Sequence, residues 1–390
     1  MNTSDVEILC REDVRRAINR NIERDPQLVA LDKHIDHAAL VATQVKYLQR
    51  ARRKLPSLYD ARCIIPPRAF EQSSSEECAE RKPLTGDSVL DLTCGLGIDA
   101  IALPRRFRRV VAVERDEALA RVVRHNLTLL GISNVEVVNS TAEEYVSACN
   151  DHFDWIYADP DRRSDTGRKM VCLEDCSPDM LALMPHLRRL GERVAIKLSP
   201  LFDCDEAFRL FSPAEVEVVS LGGECKELNI LTNAREDVLR VAISGVGERC
   251  FKPSDMAQQP TTERFADTEW RYMLIPDVAL QKGRVAIAAL SPYASMWSNN
   301  GYAFMRSLPD VELPGRVYAI ESIERYRPKE LRRRCKGLGV ELSKRDTQLS
   351  VEAVRRAAGL RAGDDMHLAI TTIEGENWVI QLKSSTFVEE

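Results

Sequence analysis

DLTCGLGIDA, residues 91–100, follows a short apolar run and opens a segment of helical character, and its reading decides the fold. Gly95 and Gly97 give this turn a backbone that a ligand can approach closely. The helix that follows presents its amino end, which favours a negative group such as a carboxylate or phosphate. A Gly-x-Gly-x-x-Ala pattern alone is a weak signal. Here an acid ends the strand on either side of it, Asp91 before the turn and Glu114 at the end of RVVAVER.

Working outward, SVLDLTC, RVVAVER, VEVVNS, FDWIYADP and RVAIKLSP read as five buried strands. Helical segments separate them, such as DEALARVVRHNLTLLG with Gly131 as its stop. Alternation of this kind predicts a doubly wound α/β sheet with right-handed crossovers. It then breaks: EVEVVSLGGECKELNILT reads as two strands around a Gly-Gly loop. Five parallel strands followed by a hairpin resemble the Rossmann-like, seven-stranded order usual in class I methyltransferases. Before this core, residues 1–82 read as a helical segment with a looser stretch around Pro56, Pro66, Pro67 and Ser73–Ser75. After it, residues 236–315 read as a small α/β unit and 316–390 as a compact α+β module, leaving 83–235 as the central domain.

The glycine turn suits an adenosine cofactor. Glu114 is placed to accept hydrogen bonds from both ribose hydroxyls, which fits S-adenosylmethionine and NAD alike. Asp91, four residues before the first glycine, favours S-adenosylmethionine, whose ammonium it can approach. The expected cofactor contacts are Asp91, Thr93, Gly95, Gly97, Glu114 and Arg115, with Thr141 and Ala142 beside the adenine. Many methyltransferases carry an acid where this chain has Thr141.

DWIYADPDRR, residues 154–163, ends the fourth strand at Ala158, so Asp159-Pro160 falls at the carboxyl edge where open α/β sheets bind ligands. Together with DLTCGLGIDA, AIKLSP and GGECKE, it resembles a family of bacterial S-adenosylmethionine-dependent methyltransferases with a THUMP-like C-terminal domain. The resemblance spans roughly residues 70–390. It implies a class I core, a ferredoxin-like unit over 236–315 and an RNA-binding tail over 316–390 like that of tRNA-modifying enzymes. Asp159-Pro160 also resembles the (D/N)PP(Y/F) turn of amino-methyltransferases, in which the acid or amide orients a base amine. Asp161 and Arg162 stand where that turn has proline and an aromatic residue, so stacking falls to a guanidinium or to another group. The expected catalytic residues are Asp159, Pro160, Arg162 and Lys197, with Asp159 also touching the cofactor. Phe70-Glu71-Gln72 resembles the F-x-Q of RNA 5-methyluridine methyltransferases, which adds Gln72 to the cofactor contacts. Those enzymes need a cysteine after strand five, where this chain has Ser199, and carbon-5 methylation by that route is not expected.

Substrate contacts are expected from Arg163, from Glu224 and Lys226 at the hairpin tip, and from Arg332 and Arg333. Nine Lys or Arg stand against two acids between Arg325 and Arg345, and positions 329, 332, 333 and 336 recur at helical spacing. RNA, with tRNA favoured, is the expected partner. The net charge of −5 excludes a polyanion binder charged over its whole surface but allows such a local patch. No run is apolar enough to span a bilayer, and the start lacks the apolar centre of a signal peptide, so the cytoplasm is the expected compartment. Eleven scattered cysteines without a C-x-x-C pair, and an isolated His34/His37 pair on a helical stretch, do not predict a metal site. Two other readings keep the same core: a non-catalytic RNA-binding protein, and an NAD-dependent oxidoreductase, for which no Tyr-x-x-x-Lys pair or placed histidine is found.

Overall fold

The computed structural model describes residues 1–162, 173 and 176–383. Cα packing divides the chain into two compact units, Met1–Ala214 with Leu228–Arg235, and Glu215–Glu227 with Glu236–Glu390. In the first unit, β1 (Ser88–Asp91), β2 (Arg109–Glu114), β3 (Val135–Asn139), β4 (Phe153–Ala158) and β5 (Gly191–Leu198) pair in parallel. The hairpin strands β6 (Ala214–Leu221) and β7 (Glu224–Thr232) follow, and β7 runs antiparallel to β5. The strand order 3-2-1-4-5-7-6 is the one expected from the sequence. β1, β2 and β4 are buried along almost their whole length, which is why they read as unbroken apolar runs rather than alternating ones.

Register positions the chemistry. Asp91 lies opposite Ala112 of β2 and Tyr157 of β4, so the carboxyl ends of the three central strands come level and bring Asp91, Glu114 and Asp159 to one edge. The helix Glu117–Leu129 returns the chain to β3, capped by the Asp116 carboxylate and burying Val122 and Val123. Gly97 packs against that helix: a Cβ there would meet Val123 Cγ1 at 3.0 Å, and its φ of +82° lies in the left-handed region.

The N-terminal segment does not form a core of its own. Its helices Thr3–Cys10, Glu12–Arg20 and Ala38–Lys54 share one apolar cluster with Ala112, Val122 and Val123. His34 and His37 fall in the turn before Ala38 rather than on a helix, because His37 adopts a left-handed φ of 57°. Two buried amides then fix the chain at Ile64 and Ile65. Asn126 accepts from Ile64 N and donates to Ile64 O, both at 2.9 Å, while Gln44 makes the same pair with Ile65 at 2.9 and 3.2 Å. The residues that follow, the helix Pro67–Gln72 and the turn to Ser75, are set by these clamps.

In the second unit, β8 (Val238–Ile243) pairs in parallel with β6 and antiparallel with β9 (Gly247–Phe251). A seven-stranded sheet contains β10 (Tyr272–Pro276), β11 (Ala303–Met305), β12 (Gly315–Arg325), β13 (Gly339–Lys344), β14 (Arg361–Ala362), β15 (Met366–Ile373) and β16 (Glu376–Leu382), in the order 11-10-12-16-15-13-14. The ferredoxin-like unit expected over 236–315 therefore meets a different arrangement. Its first two strands extend the hairpin strand β6, and its last two pair with β12 or with each other. Short apolar runs announce strands but not which partner completes their hydrogen bonds, and here the partners lie outside the stretch.

Asn126→Leu removes both partners of the Ile64 backbone groups, each costing about 1–3 kcal/mol when buried unsatisfied. Urea unfolding followed by circular dichroism is expected to show a loss of about 2 kcal/mol or more. A shift within roughly 0.5 kcal/mol, typical of neutral surface changes, would show that the clamp contributes nothing.

Candidate active site

A cavity of about 810 Å³ opens at the carboxyl edge of the first unit's sheet. Its wall takes residues 92–96 from the glycine turn, 114–116 after β2, 140–143 after β3 and 159–161 after β4. The N-terminal segment supplies Met1 and residues 66–69 and 72–74, the helices after β1 and β2 add Ile98, Asp99, Ala118, Leu119 and Val122, and Ser177 and Pro178 also line it.

The turn is held by its own polar groups. Thr93 N donates to Asp91 Oδ1 at 2.9 Å, and Cys94 N to Val113 O at 2.9 Å. Gly95, with φ +56°, donates its N–H to Glu114 Oε2 at 2.8 Å, while Asp116 N donates to Oε1 at 2.8 Å. Both oxygens of Glu114 are thus anchored on the cavity wall with lone pairs left for a hydroxyl donor. Burial raises the Glu114 pKa above the usual value, against the pull of those two N–H groups. The Thr93 hydroxyl accepts from Asp159 N at 2.6 Å and so ties the glycine turn to the Asp-Pro turn.

Carboxyl crowding dominates the electrostatics. Asp91 is fully buried, its Oδ2 has no hydrogen-bond partner among the described residues, and its pKa is pushed far up by burial and by the nearby Asp99, Asp159 and Glu114. Asp99 fares differently. Burial would raise it, but Lys82, Lys197 and a hydrogen bond from Tyr157 Oη at 3.0 Å bring its pKa below the usual value. The Lys82–Asp99 pair is itself buried, at 2.6 Å. At the rim, the Lys197 ammonium pairs with the Asp159 carboxylate and donates to Ser74 Oγ at 2.9 Å.

The structure brings together Gln72, Thr93, Gly95, Glu114, Arg115, Thr141, Ala142, Asp159 and Pro160 on one wall. Lys197 joins them through Asp159. Two expected contacts differ: Asp91 stands directly behind the wall, and Gly97 serves helix packing against Val123 rather than lining the cavity. The Thr141 hydroxyl caps the helix Ala142–Ala148, and Arg115 donates to Ser177 Oγ at 3.2 Å. Arg162 pairs by its backbone with Cys176, and Arg163 lies outside the described residues. Glu224 and Lys226 belong to the second unit and pair with each other. Arg332 and Arg333 are exposed there on the helix Pro328–Arg334, which ends before Lys336. Sequence reasoning missed Lys82, Asp99, Tyr157 and Ser74. Asp99 stood inside the quoted motif as an acid on a helix about to be buried, a signal that was available, whereas Lys82 lies in a polar stretch without periodicity.

The donor set fits S-adenosylmethionine: Glu114 for hydroxyls, and the orphaned Asp91 oxygen amid excess carboxylate for a cationic ligand. Among the described residues no group of three or more His, Cys, Asp or Glu is placed to hold a metal, and no helix is long and apolar enough to cross a membrane.

Comparison with known proteins agrees. A family described as THUMP domain-like matches residues 315–384, and one described as Conserved hypothetical protein 95 matches 70–173. A protein of Mycobacterium tuberculosis (strain ATCC 25618 / H37Rv), named an uncharacterized S-adenosylmethionine-dependent methyltransferase, is 24% identical over 87% of this chain and 94% of its own. A tRNA/tmRNA (uracil-C(5))-methyltransferase of Actinobacillus pleuropneumoniae serotype 3 (strain JL03) is 29% identical over 30% of this chain and 38% of its own. A crystal structure from Porphyromonas gingivalis W83, provisionally assigned as a methyltransferase, superimposes with a TM-score of 0.82 at 25% identity, covering 98% of this chain and 99% of that one. Likeness along nearly the whole length, together with a cavity whose lining fits a cationic adenosine cofactor, gives the placement: the chain is similar to S-adenosylmethionine-dependent methyltransferases over almost all of its length, and its residues 315–384 match a THUMP-like domain.

Proposed function

We propose that this enzyme methylates RNA, with tRNA the favoured substrate, at an exocyclic base amine, and that it works in the cytoplasm. The observation that carries the reading is Asp159 on the cavity rim, its backbone fixed by Thr93 and its carboxylate by Lys197. Bound S-adenosylmethionine supplies a methyl group already attached to a sulfonium leaving group, so the protein's share is alignment and exclusion of water. Asp159 accepts a hydrogen bond from the base amine and turns its lone pair toward the cofactor side of the cavity. Pro160 stiffens that turn. Arg162 and Arg163 hold a flanking phosphate or stack on the base, and Glu224, Lys226, Arg332 and Arg333 add substrate contacts. The THUMP-like match and the relative named for tRNA support RNA as the substrate class.

Uracil carbon-5 is the acceptor named for that relative, and the chemistry here argues against it. By the resemblance Ser199 stands where those enzymes carry their nucleophile, and among the described residues the cysteine on the cavity wall is Cys94, whose thiol pKa burial pushes far up. A thiol so held is a poor nucleophile.

Glu114→Ala is expected to weaken S-adenosylhomocysteine binding at least tenfold by calorimetry, the scale of one lost charge-assisted hydrogen bond or more. Unchanged affinity would remove Glu114 from the cofactor site. Asp159→Ala is expected to leave that affinity nearly intact and to slow methyl transfer by roughly 10²-fold, the scale for misplacing a reacting group. Incubation with radiolabelled cofactor and RNA from a strain lacking the enzyme, followed by digestion to nucleosides, is expected to place label on a methylated amine. Label in 5-methyluridine would overturn the acceptor assignment, and label only in protein or a small molecule would overturn RNA.

A further inference from the structure

We propose that the helix Ala38–Lys54 carries a second RNA-binding surface, which grips phosphates beside the target nucleotide through Lys46, Arg53 and Arg68. The inference rests on the RNA reading above and adds to it a site in the N-terminal segment. Seven Lys or Arg stand against one acid between residues 38 and 70, a local charge of +6 in a chain whose net charge is −5. Lys46, Arg50 and Arg53 recur at i, i+4 and i+7 and therefore share one face of the helix.

Whether such charges are available depends on how they are neutralised. Arg50 pairs with Glu71 and stacks over Phe70 at 5.1 Å, and Lys54 donates to Phe70 O at 2.8 Å. Those two join the helix to residues 66–74, the part of the N-terminal segment that walls the cavity. Lys46, Arg53 and Arg68 are exposed and form no ion pair among the described residues, and Arg68 itself lines the cavity. The basic run of the second unit is compensated in part: Lys329, Arg333 and Lys336 are likewise exposed and form no ion pair among the described residues. There Arg325 pairs with Glu376 at 3.7 Å, Arg327 with Glu330 at 3.1 Å and Arg334 with Glu324 at 2.7 Å, while Arg332 donates to Ala357 O at 3.0 Å. Uncompensated cations such as these are the groups that release counterions when a polyanion docks.

The test uses Lys46→Gln/Arg53→Gln in the full chain, since both residues are exposed and off the cavity wall. The probe is a fluorescein-labelled, single-stranded RNA 20-mer of mixed sequence, followed by anisotropy across a salt series. Two lost phosphate contacts are expected to reduce the slope of log K against log salt by about 1.4 units, at roughly 0.7 per contact. With tRNA as substrate, the KM is expected to rise while kcat and S-adenosylhomocysteine affinity hold. The charge-preserving Lys46→Arg/Arg53→Lys is expected to match the wild type. An unchanged slope and KM in the Gln variant, with normal RNA binding by the wild type, would overturn this surface alone. Equal loss in the charge-preserving variant would also overturn it, because shape and not charge would then matter. A wild type that binds no RNA even at low salt would overturn the RNA reading along with it.

Discussion

Parallel pairing of β1 between β2 and β4 forces carboxyl groups together, and much of the first unit answers that crowding. Asp91, Glu114 and Asp159 end adjacent strands at one level, and Asp99 follows one turn later. In a medium of low dielectric such a group of like charges cannot all ionise without compensation. The chain supplies Lys82 against Asp99 and Lys197 against Asp159. It supplies nothing to Asp91 Oδ2 among the described residues, and the pKa of that carboxyl rises accordingly. A cavity beside an uncompensated carboxyl favours a cation, which is the electrostatic distinction between S-adenosylmethionine and a dinucleotide bearing a pyrophosphate.

The second constraint is how a helical segment comes to wall this cavity. Backbone leaving a helix and heading for a sheet edge carries N–H and C=O groups that must be satisfied wherever they are buried. Gln44 and Asn126 satisfy Ile64 and Ile65 with matched pairs of hydrogen bonds, one amide from the N-terminal segment and one from the helix after β2. Residues 66–74 therefore reach the cavity at a fixed place, and Ser74 meets Lys197 there. Cofactor wall, rim acid and N-terminal helices form one mechanical unit, so the basic face of Ala38–Lys54 keeps a set relation to the reacting edge.

The sequence by itself determined the succession of the first seven strands, the Gly-Gly hairpin among them, and the sheet edge at which the cavity opens. These follow from local rules: strands buried on both faces read as apolar runs, glycine marks a left-handed turn, and acids at strand ends survive only where a ligand or a backbone N–H needs them. It also marked Gly95, Glu114 and Asp159. Gly97 was found for a reason different from the one that holds it, because close helix packing and close ligand approach both demand the absence of a side chain.

Tertiary structure alone decided the partners. Lys82 meets Asp99, Lys197 meets Ser74 across more than a hundred residues of chain, and the strands around residues 238–251 and 272–305 join different neighbours instead of closing a unit together. Which basic side chains stay uncompensated was likewise settled in space: Arg325 and Arg334 of the C-terminal run meet Glu376 and Glu324 on neighbouring strands, whereas Lys46, Arg53 and Arg68 form no ion pair among the described residues. Periodicity and propensity describe what a segment offers along its own length. Ion pairs, shared cores and strand partners depend on distances between segments, and the sequence does not contain those until the chain has folded.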